Sequence, residues 1–594
     1  MRSVLRRIGL VLGLGFRAEP RWAVLAFLLS IAGSVAGPLT ALFLRSLVNA
    51  ASAGDRAAAL AAALWVALSW AGSRAADDSA THVAFALMEH IRRLVDTLLM
   101  DIIGRVPTIE LHERADVADK VELFRTDAEN FGFAMTSLVW GIGIVARLTT
   151  SVLILASIQP FLILLPLLGI PSLLAGGRAQ HLRQRVREEM AERKRLSEHL
   201  FLLGTTPGPG REVRLFGLDR EIAGRYRRLR AVMAAAERQA ETRGMLATTL
   251  GWLAYAAGYA GAIVFIAARA ASGKASVGDV LLVIALSGQI QGELAGAVSL
   301  TGWLLQNLRV ATHYLWLRDY ASQLTPRPAL SPAPGRLRDG IRFEGVTFRY
   351  PGTDADVLRD VDLTIPAGRA VAIVGDNGAG KTTLFKLLAG FYQPTKGRIT
   401  VEGVDLRDLD VQQWRQRISA CLQDFVHFDF VARESVGLGD LSRIGDPDAV
   451  MEALTRASAT DVIASLPAEL NTQLGQEYDD GTELSAGQWQ KLALSRAMMR
   501  QTPLLLVLDE PTANLDAYTE HAIFDRYAQA SQRAGQETGA ITILASHRFS
   551  TVRMAGLIIV LDAGRVAQVG THQELSTADG PYRELFELHQ TAYR

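Results

Sequence analysis

The 594-residue chain holds one cysteine, Cys421, and this excludes an intrachain disulfide framework and any cysteine-based metal cluster. Charge of a single sign is lacking as well. Lys and Arg number 62 against 61 Asp and Glu, a net charge of +1, so no global basic field points to nucleic acid. A small-residue cleavage site is missing after the first apolar stretch. Arg2, Arg6, Arg7, Arg17 and Arg21 therefore precede a retained membrane span, not a removable signal peptide. Polar residues are scarce for a soluble enzyme, with 49% of the chain hydrophobic, and the excess lies before residue 310. The length predicts more than one domain.

A bilayer core needs about twenty mostly apolar residues per helix. Six stretches qualify, roughly 22–45, 57–76, 133–157, 159–176, 245–268 and 279–305. The loops between them alternate in charge. Residues 50–56, 159–160 and 269–278 carry only Arg56, Arg269 and Lys274 as basic residues, whereas Arg178 to Arg243 contains sixteen Lys and Arg. The positive-inside rule puts that basic segment and both termini in the cytoplasm. Two long excursions, about 77–132 and 177–244, show helical periodicity, so the membrane helices are expected to run on past the bilayer. Gly104-Arg105-Val106-Pro107 interrupts the first and Gly204-Thr205-Thr206-Pro207-Gly208-Pro209-Gly210 the second. Proline and glycine there end a helix and leave room for a short crosswise element. Glu113–Val121 and Arg211–Leu218 are the candidates. Arg147 in the third span and Glu293 in the sixth are intramembrane charges. They either pair or face a wet cavity.

Four prolines within residues 325–335 mark a stiff, extended connection. The expected division is a helical membrane domain over 1–320, a linker over 321–340 and a nucleotide-binding domain over 341–594. In the last, β-branched runs alternate with turns and helices, which predicts an α/β sheet. Ala370 to Val374 is apolar and leads into Gly375-Asp376-Asn377-Gly378-Ala379-Gly380-Lys381-Thr382, followed by the helix-like run from Thr383. This is the phosphate-loop pattern in the strand–loop–helix setting it requires. Backbone N–H groups surround phosphate oxygens, Lys381 reaches the β- and γ-phosphates, and the Thr382 hydroxyl ligates Mg²⁺. The apolar strand Leu504 to Leu508 ends in Asp509 and Glu510. Asp509 can hold a Mg²⁺ water, and Glu510 can take a proton from the attacking water. Leu484-Ser485-Ala486-Gly487-Gln488 opens another helical run and supplies a second phosphate-binding surface. Two such surfaces in one chain are explained if two copies sandwich each nucleotide. His547 follows an apolar strand, where ligands of such sheets bind.

Together these motifs resemble a half-size ATP-binding-cassette transporter of the exporter fold over essentially the whole chain. Residues 375–382 match the Walker A pattern, 504–510 the Walker B pattern, and Leu484 to Gln488 the family signature. The resemblance implies a six-helix all-α transmembrane domain fused to an α/β P-loop nucleotide-binding domain, with ATP and Mg²⁺ as ligands. It implies that Tyr350 stacks on adenine and that Gly375 through Thr383 hold the phosphates, with Thr383 beside Thr382. Gln423 would link the γ-phosphate and Mg²⁺ to the membrane domain. Asp516 belongs to the aspartate loop and His547 is the switch histidine. Ser485, Gly487 and Gln488 would meet the γ-phosphate held by a second chain. Short coupling helices are implied at the two interrupted excursions. Ala486 departs from the signature glycine, and residues 475–481 lack the usual wording before the signature.

Because Glu510, His547 and the signature are all present, a homodimer is expected, with a heterodimer as the alternative. The wording Gly487-Gln488-Trp489-Gln490-Lys491 resembles that of bacterial half-transporters that include lantibiotic exporters. No peptidase domain precedes the first span, so leader cleavage is not expected. The leading expectation is ATP-driven export of an amphipathic peptide, drug-like molecule or metabolite across the plasma membrane, with a lipid flippase or an importer on the same fold as alternatives. Two readings of other kinds predict different features. A soluble cassette ATPase acting on ribosomes or nucleic acid calls for a second fused cassette and no spans. A membrane-anchored regulator that binds ATP without turnover calls for a missing base.

Overall fold

The computed structural model describes residues 2–324, 331–511, 532–545 and 549–592. The chain forms two compact units, one of Met1–Asp101 with Lys120–Asp319 and one of Ile102–Asp119 with Tyr320–Arg594.

The first unit is helical. Its elements are α1 (Arg2–Ala18), α2 (Pro20–Ser52) and α3 (Arg56–Arg105), which continues into the second unit. The short α4 (Glu110–Glu113) also belongs to the second unit, and α5 (Ala115–Asp127) leads back to the first. Then come α6 (Asn130–Ile158), α7 (Ile170–Glu189), α8 (Ala191–Thr205), α9 (Pro207–Leu215), α10 (Asp219–Ala271), α11 (Val277–Asn307) and α12 (Val310–Leu324). Among the described residues, six helical segments are long and apolar enough to cross a membrane: Pro20–Ser52, Arg56–Arg105, Asn130–Ile158, Pro160–Glu189, Asp219–Ala271 and Val277–Leu324. They contain the six stretches expected from hydropathy. α3 has 50 residues and α10 has 53. At about 1.5 Å per residue, each is more than twice the roughly 30 Å of a hydrocarbon core. The fourth span begins as a 3₁₀ helix over Pro160–Gly169, a stretch holding Pro160 and Pro166, and becomes α-helical at Ile170.

Small residues let these helices approach. A methyl on Gly251 would lie 2.6 Å from the Cα of Ser172, and one on Gly33 would lie 2.4 Å from the Asp77 carboxylate. Close backbone contact and interhelical hydrogen bonds replace the hydrophobic drive that lipid removes. Tyr255 donates to the Ser287 carbonyl at 2.6 Å, Ser30 to that of Val139 at 3.0 Å, and Ser73 to that of Gly33 at 2.8 Å.

The crosswise elements differ from their expected bounds. In the first excursion the short helix is α4, not Glu113–Val121. Arg114 adopts an extended backbone and ends it. The same guanidinium reaches back to Glu110 at 3.1 Å and forward to Asp116 at 2.6 Å, bridging the break. In the second excursion α9 starts at Pro207, where proline loses no helical hydrogen bond.

Among the described residues, the second unit contains two sheets. An antiparallel one orders β2-β1-β4-β5, with β1 (Gly340–Arg349), β2 (Asp356–Pro366), β4 (Lys396–Val401) and β5 (Val404–Asp405). A six-stranded one orders β10-β9-β3-β8-β7-β6. Its strands are β3 (Ala370–Val374), β6 (Ile418–Cys421), β7 (Leu505–Asp509), β8 (Ile541–Ala545), β9 (Leu557–Asp562) and β10 (Arg565–Gly570). All neighbours in it are parallel except β10, which pairs antiparallel with β9. β7 and β8 are buried throughout, which is why they read as unbroken apolar runs. Cys421 is a buried residue at the end of β6. Because β8 lies between β3 and β7, the C-terminal strand ends bring the loop at Gly375 and the acids at Asp509 to the same edge.

Candidate functional site: a phosphate-loop cleft

The loop after β3 turns tightly because glycine allows it. Gly378 and Gly380 have φ of 85° and 104°. A methyl on Gly375 would lie 2.3 Å from the Leu561 carbonyl oxygen, so the loop packs against β9 only without a side chain. Gly380 caps α13 (Lys381–Leu388), whose N-terminal N–H groups face the loop. The Lys381 ammonium donates to the carbonyls of Gly375 at 2.6 Å and Asp376 at 3.0 Å, closing the loop upon itself. Thr382 Oγ1 donates to Asp509 Oδ2 at 3.3 Å, so hydroxyl and carboxylate converge across the strand edge. Gln423 joins Thr382 and Asp509 in lining a cavity of about 580 Å³.

Burial lowers the pKa of Lys381, although Glu510, Asp509 and Asp376 act against this. Burial raises that of Asp509, with Glu510 adding to the effect and Thr382 and Lys381 opposing it. Each group thus sits where its charge is expensive and an opposite charge is welcome, as a triphosphate and its cation would provide. The Mg²⁺ implied by the motif fits this donor set. Thr382, Asp509 and Gln423 present only oxygen donors and a carboxamide, and no cluster of three or more His, Cys, Asp or Glu competes among the described residues.

Glu510 has a φ of 46°, a left-handed conformation that few non-glycine residues adopt. Two backbone bonds hold it there. Its N–H donates to Ala545 at 3.0 Å, and its carbonyl accepts from the Gln490 side chain at 3.2 Å. Backbone strain held by neighbours is a mark of functional positions. Gln490 is 3% exposed and lies on the helix Ala486–Ala497, so that helix carries a polar group into the apolar core to orient the acid. The only sequence signal for this is a glutamine on an otherwise apolar face.

Ser485 caps the same helix. Its hydroxyl accepts from the Gln488 N–H at 3.3 Å, while Gln488 Oε1 accepts from the Ser485 N–H at 2.9 Å. Ser485 and Ala486 are exposed, so the signature points outward from this chain. Tyr350 bonds Thr383 through its hydroxyl at 2.9 Å and meets Phe348 and Tyr392 edge-on, with Lys386 Nζ 5.4 Å from its ring centre. Tyr350→Ala is expected to weaken ATP binding by about 1–3 kcal/mol if the ring stacks on adenine. Tyr350→Phe should cost less, since it loses only the hydroxyl bond. Titration with a fluorescent ATP analogue checks both, and equal affinity in all three proteins would reduce Tyr350 to a packing residue. Asp516 and His547 lie outside the described residues, as do Asn514, Leu515, Ser546 and the linker segment 325–330.

α4 is held against the nucleotide machinery within the second unit. Glu113 accepts from Lys386 at 2.5 Å and from the Tyr392 hydroxyl at 2.7 Å, and Arg415 donates to the Pro107 carbonyl. Lys386 belongs to α13, so this crosswise element grips the helix that starts at the phosphate loop.

In the helical unit Arg147 and Glu293 pair, with Nη1 to Oε1 at 3.0 Å. Nη2 also binds both oxygens of Asp77 at 3.0 and 3.2 Å and reaches Ser34 at 3.4 Å. Arg147 and Asp77 line a cavity of about 330 Å³ with Trp70, Ser73 and Gln289. The two expectations for Arg147 therefore hold together: it is paired, and it borders a cavity. Asp77, one residue past the hydropathic end of the second span, was missed.

A family model described as ABC transporter matches residues 358–513. The subtilin transport ATP-binding protein SpaT of Bacillus subtilis is 32% identical over 330 residues, 55% of this chain and 52% of that protein. An ATP-dependent lipid A-core flippase of Alcanivorax borkumensis is 30% identical over 424 residues, 71% of this chain and 69% of its own length. A solved structure of a bacterial Atm1-family ABC exporter with ATP bound superposes with a TM-score of 0.75 over 97% of this chain and 98% of that one, at 24% identity. The fold is thus the ABC exporter fold. This chain belongs to the ABC transporter family, with one helical unit and one cassette in the half-size arrangement. The match spans about half the length of SpaT and 41% of a flippase from Ralstonia nicotianae.

Proposed function

We propose that the chain is an ATPase coupled to export of an amphipathic cargo, working as a pair of identical chains in the plasma membrane. The observation that carries this is the Lys381–Thr382–Asp509–Glu510 constellation on a chain that also carries six membrane-length helices. Lys381 and the loop N–H groups hold the β- and γ-phosphates, and Thr382 and Asp509 hold Mg²⁺ with Gln423 beside them. Bound there, the cation neutralises phosphate charge as the γ-phosphoryl is transferred. Glu510 accepts the proton of the attacking water, in the orientation fixed by Gln490. Ser485 and Gly487 of one chain complete the site of the other, for which the exposure of Ser485 and Ala486 on the cassette surface leaves room. His547 and Asp516 take the switch and aspartate-loop roles. ATP favours the closed pair only because it binds that state more tightly, and hydrolysis releases it.

The basic segment Arg178 to Arg243 supports cytoplasmic termini and cassette. A cavity of about 1070 Å³ in the helical unit is walled by Leu173, Met233 and Val298 beside Arg183, Arg187 and Arg309, which suits a cargo with apolar and polar parts. The flippase relatives favour lipid as a second reading. The test is ATP turnover by the purified chain in liposomes, followed by cargo movement in vesicles of known orientation. Turnover by this chain alone is the expected result. A folded, ATP-binding chain without turnover would reject the homodimer.

A further inference from the structure

Outside the phosphate cleft, one contact connects two parts of the cassette that serve different nucleotides. Gln423 lies in the segment between β6 and the helix Ala432–Gly437, and His427 follows it by four residues. Trp489 follows Ser485 of the signature by the same interval. The His427 and Trp489 rings lie face to face, with centres 4.4 Å apart and planes 5° from parallel. Trp489 is 2% exposed, whereas His427 lies on the surface as a lid over the indole. Seven residues on, the same helix face presents Arg496. Its guanidinium sits 4.4 Å from the Phe428 ring centre and donates to the carbonyls of Ser435 at 2.9 Å and Val426 at 3.3 Å. Two side chains of the signature helix thus grasp two consecutive residues of the segment that follows Gln423.

We infer that the His427–Trp489 stack, backed by Arg496 on Phe428, is a strut that passes the position of Gln423 at one nucleotide to the signature that serves the other. The inference rests on the paired-chain ATPase reading above. Flat ring stacking resists sliding less than a hydrogen bond but fixes the separation of two segments. Arg496 then fixes the lateral register through its carbonyl bonds. Signature movement is thereby tied to what Gln423 senses. His427 is a positioning residue and has no role on the nucleotide itself. Its exposure limits any loss of stability on truncation to what covering the Trp489 indole contributes.

The test uses the full chain in lipid. Turnover is measured against ATP concentration for wild type, His427→Ala and His427→Phe. Hydrogen exchange of residues 484–490 is measured with and without Mg-ATP in each protein carrying Glu510→Gln. His427→Ala is expected to lower kcat by about tenfold or more, the scale of a misplaced site, with KM for ATP within about twofold. His427→Phe should restore kcat, since it preserves the stack. ATP should protect residues 484–490 in the parent and His427→Phe but not in His427→Ala. Full kcat in His427→Ala, equal loss in both variants, or unchanged protection in His427→Ala would each overturn the strut. A folded, ATP-binding wild type without turnover would reject the homodimer reading, and the exchange measurement would then decide the strut by itself. A parent whose signature shows no ATP response overturns the strut too.

Discussion

Glu510→Gln should lower ATP turnover by at least about a hundredfold, the usual contribution of a positioned general base. The carboxamide has the shape of the carboxylate but does not accept the proton of water. Two of the bonds that hold residue 510 in place run through its backbone. The N–H to Ala545 and the carbonyl to Gln490 involve no side-chain atom of Glu510, so the substitution leaves both intact. ATP affinity and thermal stability are therefore expected to match wild type, and the paired cassettes should accumulate around unhydrolysed nucleotide. Phosphate release measured beside a fluorescent nucleotide titration gives both quantities. Turnover above about a tenth of wild type would remove Glu510 from the base role. Gln490→Leu supplies the companion measurement. It keeps the base but removes the Gln490 bond to its carbonyl, so a kcat loss with an unshifted KM is expected, through loss of orientation and not of proton affinity.

What was legible in the sequence had a local physical cause. The phosphate loop is fixed by backbone freedom at Gly378 and Gly380 and by the helix that must follow, all within ten residues. The six spans follow from bilayer thickness, and β7 from burial on both faces. The rest depends on partners distant in sequence. The apolar stretch of the second span ends at Ala76, and α3 runs on past it as one 50-residue helix, as expected; what the stretch does not show is that this helix delivers Asp77 to Arg147 on α6. Composition marks where a helix leaves lipid and says nothing of which side chain meets it there. The first crosswise helix was displaced by several residues because its end is set by the Arg114 side chain, which binds acids on both sides of the break. Gln490 and Trp489 read as ordinary members of a helix beside the signature. Their significance lies in the Glu510 carbonyl and the His427 ring, which only the folded cassette brings to them.

Arg147→Ala should destabilise the helical unit by about 1–3 kcal/mol, less than for a fully buried pair, because the carboxylates left without a counter-ion are only half-buried. One guanidinium serves Asp77 on α3 and Glu293 on α11 at 3.0 Å each, so its loss leaves two acids facing each other in the span region. The expected signs are a lower unfolding temperature in detergent and poor membrane yield. The triple change Arg147→Met, Asp77→Asn, Glu293→Gln should recover most of the stability, because neutral residues of similar size carry no unpaired charge into lipid. Arg147→Ala as stable as wild type would show that water in the adjoining cavity already satisfies the acids. The triple variant also separates scaffold from cargo contact. If the cluster only ties α2, α3, α6 and α11 together, the repaired chain should hydrolyse ATP with normal stimulation by cargo. If cargo reaches the cavity at Asp77, basal turnover should survive and stimulation should not. A half-buried charge kept only for packing is easily replaced by methylene and amide groups, whereas one kept to recognise a ligand is not.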